Sequence, residues 1–229
     1  MARLGGEKLI IIGAGGFGRE VLDIVDACNA EKRTYDVLGF IVQREYGTPG
    51  TMVHEKPILG DFDWIENYRG KLHAVCAVGD PHHRARLVRL GSRQGVVWPD
   101  IIHPSAILTR WVTLGEGVII GANSVFTNQI TIGNHVHVNL ACTVGHNVFL
   151  HDFVTLAPGV HISGEVTIEE GCYIGSGVNT IEKLRIGEWS VIGAGSVVIR
   201  NVPPNVTVAG VPARIISHDR PDLFKKREQ

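Results

Sequence analysis

From Ile102 onward the chain repeats every six residues. Large apolar side chains fall at Ile102, Leu108, Leu114, Ile120, Phe126, Ile132, Val138, Val144, Leu150, Leu156, Ile162, Ile168, Ile174, Ile186, Ile192 and Val198, so 16 of these 17 positions are aliphatic or Phe and Thr180 alone is polar. Four residues after each stands a second column of small or β-branched side chains, from Ala106, Val112 and Val118 through Cys142, Val148 and Val160 to Ser196 and Val202. Neighbouring members of the two columns, such as Val118 and Ile120, are two residues apart and share one face of a strand, with the residue between them facing out. Neither a helix, with a period near 3.6, nor a hairpin sheet, with turn signals every 8 to 12 residues or so, fits a steady six. Each hexad is therefore one short strand and one corner, and the chain coils into a solenoid. Glycine often follows the large column (Gly115, Gly121, Gly133, Gly145, Gly175, Gly187, Gly193), which predicts corners with unusual backbone angles.

The pattern before the repeat is different. Lys8–Ile12 reads as a buried strand, 13–18 (Gly-Ala-Gly-Gly-Phe-Gly) as a glycine-rich turn, and Arg19–Ala27 as a helix. Further strands are predicted at Val37–Val42, Leu72–Val78 and Val96–Trp98, and a helix opened by Pro81 over Asp80–Leu90. The alternation predicts a small Rossmann-like parallel α/β domain over residues 1–97, a β-helix over 98–207 and a tail over 208–229.

Composition narrows the chemistry. The 229 residues are 44% hydrophobic and 20% charged with a formal net charge of −1, which offers no signature of a nucleic-acid or membrane binder. The apolar run Leu9–Ile12 is shorter than a signal-peptide core of roughly 7 to 15 residues, so a cytoplasmic protein is expected. Cys28, Cys76, Cys142 and Cys172 form no CxxC pair and read as reduced, buried thiols. The basic end, with Lys225-Lys226-Arg227, reads as a solvated tail within reach of coenzyme phosphates.

Gly13, Gly15 and Gly18 fit GxGxxG between a strand and a helix, where backbone N–H groups can cradle a phosphate and where the alternative is a purely structural glycine turn. A nicotinamide cofactor calls for an acid at the end of the second strand, yet that strand ends Phe40-Ile41-Val42-Gln43. Of the 11 histidines, His135, His137, His146, His151 and His161 lie in the repeat, and spacing alone does not separate a catalytic base from a solvated corner residue.

The hexads resemble those of the hexapeptide-repeat acyltransferases, and the two parts together resemble the NeuD/PglD-like sugar acyltransferases across nearly the whole chain. The resemblance is carried by 13–20 (Gly-Ala-Gly-Gly-Phe-Gly-Arg-Glu), Ala77-Val78-Gly79-Asp80, Ile102-His103-Pro104-Ser105-Ala106 and 209–214 (Ala-Gly-Val-Pro-Ala-Arg). It implies a triangular left-handed parallel β-helix, a homotrimer, acetyl-CoA as co-substrate with no metal, and transfer to the amino group of a nucleotide-linked sugar, with a hydroxyl acceptor as the alternative. Gly13, Gly15, Gly16, Phe17, Gly18, Gly79 and Asp80 are then expected to hold the nucleotide diphosphate, and Ser176, Ala194, Gly210 and Pro212 the pantetheine arm. His146 is the expected general base and Gly164 the oxyanion donor. Asn147 stands where the family has an acid, so Asp152 or Glu165 is a candidate to support the imidazole. Where the family often carries two Asp after the second strand, this chain has Val42-Gln43. Two rivals use the same prism: a γ-class carbonic anhydrase, for which His146 and His151 have part of the ligand spacing, and a non-catalytic trimeric scaffold.

Overall fold

A computed structural model describes residues 6–218; the basic end discussed above lies outside the described residues. The chain divides into two compact units. One holds the residues up to Gly79 together with His83–Pro104, and the other Asp80–His82 and the chain from Ser105.

The first unit is a five-stranded sheet with helices. Its elements are β1 (Glu7–Ile12), α1 (Gly16–Glu31), β2 (Tyr35–Ile41), β3 (Met52–Val53), β4 (Lys56–Gly60), α2 (Phe62–Asn67), β5 (His73–Cys76) and α3 (Pro81–Arg93). The strand order is β3-β4-β2-β1-β5, parallel except for β3. Leu9–Ile12 of β1 are buried to 1% or less, as a strand covered on both faces requires. The chain runs from β1 outward to β2 and β4, then returns to the other side of β1 as β5. This order places a topological switch point between the carboxyl ends of β1 and β5. Val96–Trp98 forms no strand, only a bridge from Val97 to His73. β3, β4 and α2 carry no clear pattern in the sequence; α2 is opened by Asp61, whose side chain accepts the Asp63 N–H.

The second unit is a parallel β-helix with three ladders. The first runs through Ile107–Leu108, Val125–Phe126, Thr143–Val144, His161–Ile162, Asn179–Thr180 and Val197–Val198. The second runs from Val112–Leu114 to Arg185–Ile186, and the third from Ile119–Ile120 through Tyr173–Ile174 to Val191–Ile192. Registers such as Thr143↔His161 and Thr155↔Tyr173 are 18 residues apart, three hexads to a coil. The large column is the core: Phe126, Val144, Leu156, Ile168 and Ile186 are all essentially inaccessible.

The corners depart from expectation. The glycines after the large column do not take left-handed angles; every sixth residue from Gly117 to Gly195, two positions later, does, with φ between 52° and 69°. Most of these are not glycine, and their N–H groups bond back to the previous coil, as Asn147 N does to Asn128 O (3.0 Å) and Glu165 N to His146 O (2.8 Å). Those bonds offset the strain of the left-handed region. The glycines serve close packing instead: a Cβ on Gly145 would lie 2.7 Å from Gly164 N, and one on Gly175 2.6 Å from Ala194 N.

The ladder also passes the expected boundary at 207. Thr207–Gly210 pairs with Val191–Ile192 at a spacing of 16, one shortened coil, and then turns back antiparallel as Ala213–Ser217. Residues 208–217 are thus the closing hairpin of the prism rather than a tail.

Candidate active site

His146, Asn147 and Gly164 come together at the corner that follows the first ladder. The left-handed turn at Asn147 (φ 58°) exposes both side chains. The His146 imidazole lies over the α-carbon of Gly164 one coil on, so that a Cβ there would be 2.6 Å from Nε2. Asn147 Nδ2 donates to Gln129 Oε1 (3.3 Å), which turns Asn147 Oδ1 toward His146 Nδ1 at 2.9 Å. That oxygen can only accept, so the Nδ1–H is the donor and Nε2 is left as the basic nitrogen. Gly164 O accepts the Lys183 N–H (3.1 Å), while no acceptor for the Gly164 N–H is found among the described residues. A corner of this kind can take a proton at Nε2 and offer a backbone donor to a developing oxyanion.

The acids expected to support His146 are placed otherwise. Asp152 is committed to Asn134, accepting its backbone N–H (2.7 Å) and its Nδ2 (3.1 Å). Glu165 meets His146 through its backbone, its N–H bonding to His146 O, and its side chain is exposed. Gln129 therefore enters the site, and its signal in the sequence was its place one coil before Asn147. His161 is held by Thr143 Oγ1 (2.8 Å), and His151 lies 3.7 Å from Glu169, which is itself bonded by Arg185 at 3.0 Å. His135 and His137 are buried. Among the described residues no group of three or more His, Cys, Asp or Glu could hold a metal ion.

Ser176, Ala194 and Gly210 stack on a different corner, the one after the third ladder. Ser176 O accepts the Gly195 N–H (2.8 Å), Ala194 packs beside Gly175, and Gly210 N donates to Ser196 Oγ (3.1 Å). Pro212 sits in the exposed turn of the closing hairpin, after a cis peptide. The strands His161–Ile162, Asn179–Thr180 and Val197–Val198 lie between this column and the coils of the His146 corner.

In the first unit, the glycine loop and the segment after β5 meet at the switch point. A Cβ on Gly13 would touch Ala77 O at 2.9 Å, and one on Gly18 would overlap Gly13 O. Gly15 and Gly16 face open space, Gly15 as the N-cap of α1, with no side-chain cap and no acid in the first turn. A helix start without a side-chain cap or an acid in its first turn is a setting in which an anion can be received. Phe17 is half-buried beside them. Across the crevice, Arg84 is fully buried and its Nη1 donates to Val78 O (2.9 Å) and Gly79 O (3.2 Å), holding the loop that leads to Asp80. Arg84 was missed because an arginine on a helix normally reads as solvated. Gln43, beyond β2, bonds His83 Nε2 through Oε1 at 2.8 Å.

The PglD N-terminal domain model matches residues 8–90. Among solved structures, a perosamine N-acetyltransferase from Caulobacter crescentus in complex with CoA and GDP-perosamine superposes with a TM-score of 0.85 at 31% identity, over 93% of this chain and 97% of that one. The chain belongs to the NeuD/PglD-like hexapeptide-repeat acyltransferases. Its prism is accordingly the left-handed β-helix of that family. A second family structure, the acetyltransferase domain of PglB from Neisseria gonorrhoeae in complex with acetyl coenzyme A, superposes with a TM-score of 0.84 at 30% identity, over 93% of this chain and all of that one (100%). A curated relative, the serine acetyltransferase of Escherichia coli, is 33% identical over 144 residues, 62% of this chain and 46% of its own length. The chain spans about half the length of the first curated relatives it matches. No helix of the described residues is long and apolar enough to cross a membrane.

Proposed function

We propose that the protein transfers an acetyl group from acetyl-CoA to the amino group of a nucleotide-linked amino sugar. One observation carries this reading: the imidazole of His146, oriented by an amide, lies against a glycine one coil on. The amine attacks the thioester carbonyl, His146 Nε2 takes its proton, and the Gly164 N–H stabilises the oxyanion. The intermediate then collapses with loss of the coenzyme thiolate, which recovers the proton from His146. A new C–N bond replaces the C–S bond, and no residue of the protein is acylated.

The remaining roles are supported locally. Gly15 has an ordinary φ of −72° and open space around it, so neither backbone angle nor packing explains the glycine. Close approach of a diphosphate to the start of α1 does explain it, with Gly13, Gly16, Phe17, Gly18 and Gly79 of the first unit shaping the crevice. Ser176, Ala194, Gly210 and Pro212 offer an exposed column of small side chains and backbone groups suited to a pantetheine arm. Exposed apolar side chains on the prism, Ile107, Trp111 and Phe149, support a homotrimer, and acetyl-CoA as donor fits a cytoplasmic enzyme.

Thiol release from acetyl-CoA against GDP-, UDP- and dTDP-linked amino sugars, GDP-perosamine first, and against nucleotide sugars that lack an amine, tests the reading in the parent and in His146→Ala. Turnover with one acceptor and a loss of roughly 100-fold or more in the variant are expected. Turnover only with nucleotide sugars lacking an amine would make it an O-acetyltransferase; undiminished activity in His146→Ala would remove the base.

A further inference from the structure

Thr180, the one polar member of the large column, rewires the corner that carries Gly164. At comparable corners the first residue after the strand donates its N–H to the next coil's backbone: Gly133 to Leu150 O (2.7 Å), Gly145 to Ile162 O (2.8 Å) and Gly175 to Ile192 O (2.8 Å). Ser163 does not follow them. Its N–H goes to Thr180 Oγ1 (3.0 Å), and its own Oγ donates to Thr180 O (2.6 Å). The strand ladder registers the change: between these coils only the His161↔Asn179 pair remains, where the ladders on either side keep two.

Thr180 is 6% exposed, and a valine of nearly the same shape would fill the column as the other 16 positions do. Packing therefore supplies no reason for the hydroxyl. What the hydroxyl does supply is a two-bond bracket on Ser163, whose carbonyl carbon and the Gly164 nitrogen form one rigid peptide plane. On the far side, Gly164 O is fixed by the Lys183 N–H. We infer that Thr180 and Ser163 are a positioning pair that sets the direction of the Gly164 N–H for the thioester oxyanion. The inference rests on the reading of Gly164 as oxyanion donor and His146 as base.

Thr180→Val, Thr180→Ser and His146→Ala, compared with the parent enzyme, test it through kcat, the KM of acetyl-CoA, the thermal midpoint and the Gly164 amide resonance in ¹⁵N-glycine-labelled protein. Thr180→Val is expected to fold with an unlowered midpoint and a displaced Gly164 resonance. Its kcat should fall about 10-fold or more, as misdirection of an oxyanion donor requires, with KM changed by less than about 3-fold. Thr180→Ser keeps the oxygen and should restore kcat. If Thr180→Val does not fold, Ser163→Ala removes one bond of the bracket from the outside and should lower kcat in the same direction. Parent-like kcat in the valine variant, an unmoved Gly164 resonance, a loss confined to KM, or a serine variant as impaired as the valine one would overturn the inference. An inactive His146→Ala beside a fully active Thr180→Val would sink the positioning pair alone, whereas an active His146→Ala would sink the reading beneath it.

Discussion

Gly145 and Gly164 face each other across adjacent coils, and each is a glycine for a different reason. A Cβ on Gly145 would meet only backbone, Gly164 N at 2.7 Å and Ser163 C at 2.8 Å. A Cβ on Gly164 would meet the His146 ring, at 2.6 Å from Nε2 and 2.7 Å from Cε1. Backbone in a hydrogen-bonded ladder does not yield, whereas an exposed imidazole turns aside. Gly145→Ala is therefore expected to destabilise the prism by about 1–3 kcal/mol, the usual range for overpacking, and to lower the thermal midpoint. Gly164→Ala should melt with the parent but lose about 100-fold in kcat, because the base no longer stands where it must. Calorimetry and steady-state kinetics on both variants would separate the two roles, and the opposite pattern would show that the corner has been misread.

At the level of elements, the start of α1 repeats this division of labour within one motif. Gly18 abuts Gly13 O so closely that no side chain fits, while Gly15 has nothing within 4 Å. Gly18→Ala should therefore unfold or destabilise the first unit by about 1–3 kcal/mol or more. Gly15→Ala should change its stability by less than about 1 kcal/mol, because the freedom lost by the unfolded chain is set against the poorer N-cap that alanine makes. If the crevice holds the diphosphate, the same Gly15→Ala variant raises the KM for the nucleotide sugar about 10-fold while the KM for acetyl-CoA stays put; an unchanged acceptor KM would reduce the motif to packing. The GxGxxG spacing marked this turn in the sequence but could not divide its glycines, because pattern records where a side chain is absent and not what would have met it. The six-residue period gave the coil, its core and its corner positions for a related reason: burial repeats with the strand. It failed where the constraint lies between coils. The left-handed residues fall two places after the expected glycines, and Asp152 answers to Asn134 rather than to His146. β4, with Pro57 inside it and Gly60 at its end, carries no clear strand pattern, although Ile58 pairs with Phe40 in the sheet.

Over the whole molecule the four thiols give a test of how completely the two units close over their cores. Cys76 in the sheet and Cys142 and Cys172 in the prism are buried, and burial pushes their thiols up to about 12, 11 and 12 respectively. Cys28, on α1, is half-buried and its thiol is also raised by burial, with Sγ against Ile102 O at 3.0 Å. The thiolate is the reactive species, so near pH 8 each of the three buried groups is ionised to about one part in a thousand or less, and is sterically shielded besides. The proposed direct transfer from the coenzyme to the acceptor uses no thiol. In the native protein a disulfide reagent such as DTNB should titrate at most one thiol over minutes, that thiol should vanish in Cys28→Ser, and all four should react in guanidinium. Iodoacetamide at neutral pH should leave acetyl transfer undiminished. Rapid labelling of two or more thiols in the folded protein would mean that one of the units opens far more readily than its packing allows. Inactivation by iodoacetamide that persists in Cys28→Ser would bring a buried thiol into the chemistry and count against direct transfer.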